Sequence, residues 1–137
     1  MFVIVNGGTA GSMVYSTGID IVDISRVGCG YRRFGDKYIR KLFSESERNL
    51  MEAREDGILT TMAGKLAAKE AVIKCLGVFF DHGVAFHDIE IIDRPSKMPY
   101  VRLPHRLMKK LDGRSVLLSV THERRYAAAV ALITDEA

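Results

Sequence analysis

The stretch Leu59–Gly77 constrains this chain most: Leu-Thr-Thr-Met-Ala-Gly-Lys-Leu-Ala-Ala-Lys-Glu-Ala-Val-Ile-Lys-Cys-Leu-Gly. Strong helix formers fill it, Thr60 or Thr61 can cap it, and Gly77 stands where a helix would stop. Met62, Leu66, Ile73 and Leu76 repeat at helical spacing, so that side is expected to face a core. A second stripe runs Ala63, Ala67, Glu70, Lys74. Its two small residues would let another backbone or a ligand come close, and its charges would offer that neighbour one carboxylate and one amine. The plainer alternative is an exposed Glu–Lys pair one turn apart, which adds only a few tenths of a kcal/mol.

A chain of 137 residues has the length of one domain, enough to bury such a helix. No apolar run approaches the roughly 20 residues that cross a bilayer. The first residues lack the basic and apolar segments of a signal peptide. Cys29 and Cys75 are too few for a disulfide framework, and neither has a partner at zinc spacing. Cys29 reads as part of a Gly-Cys-Gly turn and Cys75 as a half-buried helix residue. These features predict a cytoplasmic protein with no membrane segment. Residues 1–13 read as a leader or extension, expected to be disordered, with Met13 a candidate start; residues 14–137 read as a single domain.

Around the helix the pattern predicts an α+β fold, an antiparallel sheet packed on a long central helix. Val14–Val22 reads as a strand, with Ile19 and Ile21 alternating with Asp20 and Val22. Gly18 within it suggests a bulge or the close approach of another backbone. Asp20 is depleted chemistry for a strand: either a solvated edge position, or a metal or proton site. A basic segment follows, Arg26, Arg32, Arg33, Lys37, Arg40 and Lys41, with Phe34, Tyr38 and Leu42 as the apolar side of a helix. It reads as a solvated face or as a docking surface for an acidic partner. A small nucleic-acid binder is the third reading of this segment, but no aromatic-rich sheet or nucleic-acid motif accompanies it.

Ser44-Glu-Ser-Glu47 is a capping box, with Leu50 and Met51 expected on the inner side of the helix it opens. His87–Asp93 and Tyr100–Leu103 alternate as a hairpin around a Pro-containing turn. Pro104 begins a short helix that ends near Gly113. Val116, Leu118 and Val120 lie on one strand, and Tyr126–Thr134 is a continuous, Ala-rich strand of fully buried character. His122-Glu-Arg-Arg125 is the turn between them.

Asp20, Glu70, Lys74 and His122 are the candidates for chemistry. Two carboxylates from separate elements suit Mg²⁺, which takes few protein ligands and completes its octahedron with water and phosphate oxygens. A lysine one turn past a metal carboxylate would meet a phosphate's remaining charge. That pattern points to transfer of a phosphoryl-type group.

At these residues the chain resembles the 4′-phosphopantetheinyl transferases, specifically the short holo-acyl-carrier-protein synthases. The matching pieces are Gly18-Ile-Asp-Ile-Val22, then Phe34 with Lys41-Leu-Phe-Ser-Glu-Ser-Glu47, then Ala67-Ala-Lys-Glu-Ala71 with Lys74 and Gly77. Phe86-His-Asp-Ile-Glu-Ile91 and Leu118-Ser-Val-Thr-His122 with Tyr126-Ala-Ala-Ala complete the likeness. It implies the 4′-phosphopantetheinyl transferase fold. It also implies Mg²⁺-dependent transfer of phosphopantetheine from coenzyme A to a serine of apo acyl carrier protein, releasing adenosine 3′,5′-bisphosphate, in support of fatty acid biosynthesis. By the same resemblance, Asp20 and Glu70 are metal carboxylates and Lys74 meets the pyrophosphate. Lys65, Gly77 and His122 contact coenzyme A, and Arg26 and Arg33 dock the carrier protein. The short members are homotrimers with sites at subunit interfaces.

On a helical wheel Lys65 lies roughly opposite Lys74 at about 100° per residue, so Lys65 is expected to serve a neighbouring subunit's site; His122, on a separate hairpin, is expected to come from the neighbour too. Three departures stand out. Gly77-Val78-Phe79 replaces the usual Gly-Thr-Gly, Lys97-Met98-Pro99 replaces Gly-Lys-Pro, and Lys65 replaces an arginine. The first permits an alternative, a non-catalytic carrier-protein-binding module, against which the joint presence of Asp20, Glu70 and Lys74 argues.

Overall fold

The computed structural model describes residues 13–53, 57–80 and 83–135. The predicted leader, apart from Met13, lies outside the described residues. Met13 belongs to the folded part: its carbonyl accepts from Asp135 N at 3.2 Å.

The chain runs β1 (Val14–Asp23), α1 (Ile24–Phe34), α2 (Asp36–Leu42), α3 (Glu45–Glu52) and α4 (Ile58–Leu76). A 3-10 turn (Phe86–Asp88) precedes the hairpin β2 (Glu90–Asp93) and β3 (Pro99–Arg102); α5 (His105–Leu111), β4 (Ser115–His122) and β5 (Tyr126–Thr134) follow. β1, β5 and β4 form one antiparallel sheet in that order, and β2–β3 forms a separate two-stranded sheet. The fold is α+β with the sheet packed on α4, as the pattern predicts.

α4 is the hub, but not through one apolar stripe. Ala63, Gly64, Lys65, Ala67, Ala68, Lys69, Ala71 and Val72 are buried as well as Met62 and Leu76. A helix with neighbours on nearly every side has no solvent face to betray its orientation. One core lies between α4, β5, the hairpin and α5, with Ala71, Ile89, Ile91, Leu107 and Ile133 at its centre. The other lies beneath α1–α3, around Val27, Phe43, Met51 and Met62. Ile58 and Leu59 pack against this second core, which carries the helix start back beyond Thr60 and Thr61. The cap is Gly57, without a side-chain hydrogen bond.

Gly18 is where β1 meets α4. A Cβ there would stand 2.0 Å from the Ala71 carbonyl oxygen and 2.8 Å from Cys75 N. The close backbone approach expected of this glycine is therefore with the helix. Ser16 Oγ, two residues earlier, donates to Cys75 O at 2.7 Å and fastens the same contact.

Other elements depart from the sequence pattern. Gly28-Cys29-Gly30 is helical rather than a turn: Asp23 caps α1, Val27 is buried, and the glycines make room for Leu59 and the Tyr38 ring. Packing overrides the weak helix propensity of two glycines. The basic segment forms two helices, not one, because Gly35 takes φ of 53°. Leu50 is exposed while Met51 is buried. The first half of the predicted strand His87–Asp93 coils into the 3-10 turn, held by Asp88, which accepts from Ala85 N at 3.0 Å. β5 alternates instead of being buried throughout: Ala127, Ala129, Ala131 and Ile133 face α4, and Val130 faces away. The capping box at Ser44 and Glu47 forms as read.

Candidate active site

β1 carries its acid inward. Side chains alternate across a strand, and Gly18, Asp20 and Val22 share the face that meets α4. Ile19 and Ile21 point away, 70% and 65% exposed. This inverts the ordinary polarity of an edge strand and overturns the solvated-edge reading of Asp20.

Asp20 meets the C-terminal half of α4. Lys74 Nζ donates to Asp20 Oδ1 at 2.8 Å and to Ile19 O at 3.0 Å. Asp20 and Glu70 line one cleft of about 300 Å³, with Arg26, Tyr38 and Leu66 on its other walls. Burial pushes the Glu70 carboxyl above its ordinary range, the Asp20 charge pushes the same way, and Lys74 opposes both. Two carboxylates that repel each other across a shared cleft invite a cation. Among the described residues no group of three or more metal-ligating side chains exists. Asp20 and Glu70 offer two hard oxygen donors, a set suited to an ion such as Mg²⁺ that takes the rest from water and phosphate.

Lys65 and His122 occupy a different cleft, of about 530 Å³, on another side of α4. Thr60, Gly64, Asp93, Arg94, Lys97 and Val120 are among its other walls. Three long cationic side chains and a histidine against one carboxylate suit a polyanion. Lys65 is buried and donates to Ile91 O, with Asp93 Oδ2 at 3.7 Å. Its ammonium is thus aimed by the hairpin.

The remaining candidates lie apart. Arg26 is exposed at the first cleft, close to Asp20. Arg33 is exposed on α1 and stacks over the Phe34 ring at 5.2 Å. Gly77 follows α4 and lines neither cleft, and Phe79 after it packs against the main core.

Sequence reasoning missed Lys69. Its ammonium is wholly buried and donates to Glu47 Oε2 at 2.6 Å, Leu42 O at 2.7 Å and Phe86 O at 2.9 Å. Burial pushes it below the ordinary lysine range, and the Glu47 charge partly restores it. A signal was present: Lys69 lies seven residues after Met62 and seven before Leu76, on the apolar stripe itself.

An acid pair with an adjacent lysine, and a separate cation-lined cleft, can bind a cation at one place and a polyanion at another. The sequence profile of the 4′-phosphopantetheinyl transferase superfamily matches residues 16–131. The holo-acyl-carrier-protein synthase of Chlamydia trachomatis is 38% identical over 119 residues, covering 87% of this chain and 98% of that protein. The crystal structure of the Helicobacter pylori synthase in complex with coenzyme A superposes with a TM-score of 0.75 at 32% identity, covering 85% of this chain and 98% of that one. The Neisseria meningitidis synthase gives a TM-score of 0.80 at 26% identity, over 88% and 98% of the two chains. The chain belongs to the 4′-phosphopantetheinyl transferase superfamily and is a transferase.

Proposed function

We propose that the chain transfers 4′-phosphopantetheine from coenzyme A to a serine of apo acyl carrier protein, releasing adenosine 3′,5′-bisphosphate. The observation that carries this reading is that Asp20 and Glu70 share one cleft and that Lys74 is bonded to Asp20. Asp20 and Glu70 would hold Mg²⁺, which when bound neutralises charge on the pyrophosphate. Lys74 is exposed enough to exchange Asp20 for a phosphate oxygen, and its bond to Asp20 places that charge beside the acids. The exposed Arg26 at the rim and Arg33 further along α1 would receive an acidic carrier protein. The cytoplasm and fatty acid biosynthesis are the setting consistent with this activity. Among the described residues no helix is long and apolar enough to cross a membrane.

The assembly in this reading is a homotrimer with shared sites. Two features support it. The sheet face turned away from α4 leaves Ile19, Ile21, Leu117 and Val130 uncovered, more apolar surface than scattered exposure explains. The Lys65–His122 cleft also lies on a different side of α4 from Glu70 and Lys74, so one coenzyme would draw on two subunits.

The test is the mass of apo acyl carrier protein after incubation with coenzyme A and Mg²⁺. A gain of one phosphopantetheine is expected, with Asp20→Ala and Glu70→Ala each at least about 100-fold slower. Mixed Glu70→Ala and Lys65→Ala protomers should regain partial activity after subunit exchange. No mass gain with carrier binding intact would leave the non-catalytic binding module instead.

A further inference from the structure

Lys69 and Glu47 line neither cleft, yet together they fasten five segments. Lys69 spends all three ammonium protons, on the carboxylate and on the carbonyls of Leu42, at the end of α2, and Phe86, in the 3-10 turn. Glu47 Oε2 also accepts from Ser44 N at 2.9 Å, and its Oε1 accepts from Ile91 N at 2.9 Å. Ile91 O in turn accepts from Lys65, one helical turn before Lys69. Both polar backbone groups of Ile91 are therefore held by side chains tied to α4. Ile91 is also a wall of the Lys65–His122 cleft.

A buried ion pair is a poor means of gaining stability, because desolvation offsets most of its attraction. What it supplies is direction. The β2–β3 hairpin is not part of the main sheet, so no ladder to β1, β4 or β5 sets its height along α4. Apolar contacts of Ile89 and Ile91 hold it down but permit sliding; the hydrogen bonds through Glu47 and Lys65 do not. The same lysine adjoins Glu70 in sequence, so the tie reaches the backbone beneath the other cleft as well.

We propose that the Lys69–Glu47 pair is a positioning device for the transfer reaction, locking the hairpin against α4 so that the Lys65–His122 cleft is preformed for the nucleotide end of coenzyme A. The proposal rests on the reading that this cleft takes that part of the substrate.

The test is the double variant Lys69→Met/Glu47→Gln. It removes both charges and keeps the stem volumes, and its one amide oxygen cannot accept from both Ser44 N and Ile91 N as the carboxylate does. Expected is a folded protein whose KM for coenzyme A and Kd for adenosine 3′,5′-bisphosphate, measured by calorimetry, both rise about tenfold or more. The KM for carrier protein should move less than about twofold, since α1 is untouched. A folded double variant with unchanged coenzyme KM and nucleotide Kd overturns the proposal. So does an equal rise in KM for both substrates, which would mean a general disturbance of the fold rather than a displaced cleft. Lys65→Ala separates the two levels: if it leaves nucleotide affinity intact, the cleft reading itself fails. If it weakens binding and the double variant does not, only the positioning role fails. Should the double variant not fold, hydrogen exchange on the wild-type chain decides. The Ile91 amide must then exchange only through global unfolding, and earlier exchange overturns the lock.

Discussion

Two lysines five residues apart on α4 make the same kind of bond and serve opposite ends. Lys74 pairs with Asp20 with its side chain 52% exposed; Lys69 pairs with Glu47 with both side chains at 0%. Water screens the first pair, so its charges can change partners at little cost. The second pair is desolvated, and removing either member strands a charge in the interior. One helix thus carries a bond that can open when substrate arrives beside a bond that must stay shut. The difference comes from position along α4: Lys74 lies in the last turn beside a cleft, and Lys69 lies where α3, the 3-10 turn and the hairpin close over it.

Single alanine substitutions at the two lysines would break this comparison most directly. Lys69→Ala should lose about 3–5 kcal/mol of stability, because Glu47 is left buried and unpaired. Lys74→Ala should leave the melting temperature almost unchanged while cutting kcat/KM about 100-fold. Chemical denaturation and steady-state kinetics on both variants check this, and equal stability losses would erase the distinction. Next in size is Gly18→Ala. Its new methyl would collide with backbone, which cannot swing aside as a side chain can, so a loss of about 3 kcal/mol is expected, together with displaced Asp20 and lower activity. A melting temperature near the wild type would show that β1 can lift from α4.

A smaller effect is expected at the rim of the first cleft. Arg26→Glu with Arg33→Glu should raise the KM for carrier protein about tenfold and flatten its salt dependence, with the KM for coenzyme A little changed. If carrier KM stays put, these arginines are ordinary surface. The mildest test is pH. Asp23 lies below its ordinary carboxylate value of 3.8, chiefly through the Ser25 hydroxyl, against which its partial burial works. A carboxyl depressed by folding stabilises above its unfolded pKa and loses that contribution as pH falls through its folded one. Asp23→Ala should therefore lower the melting temperature at neutral pH, and the gap to wild type should narrow under strong acid. A constant gap would mean that the cap acts without its charge.

The framework was legible because local rules and tertiary packing agree there. The capping box, the helix stop at Gly77 and the bounds of β5 follow from residue types alone. So did the roster of chemical side chains, since acids and lysines are conspicuous among alanines and isoleucines. What remained hidden was which way things face. Ile19 and Ile21 look like the buried half of a strand, and they are the exposed half. Alternation fixes two faces but not which one is covered; the absent Cβ of Gly18 decides it, by letting α4 lie against that side. Lys69 was hidden for a related reason. A lysine is read as solvated unless a buried partner is known, and Glu47 lies 22 residues away in another helix. Nor did spacing alone reveal that Lys65 shares its cleft with Arg94 and Lys97, because the hairpin that brings them docks through long-range contacts.

The contact at Gly18 also works as a datum, in the sense a machinist gives the word. Asp20 is measured from it across two rigid peptide units, and Glu70 is measured from it across one residue, since Ala71 supplies the opposing oxygen. As far as the two Cα atoms, neither dimension passes through a rotatable side chain. The spacing of the backbones that carry the two acids is therefore set by the thickness of two backbones in contact, a length that substitutions elsewhere in the core cannot retune.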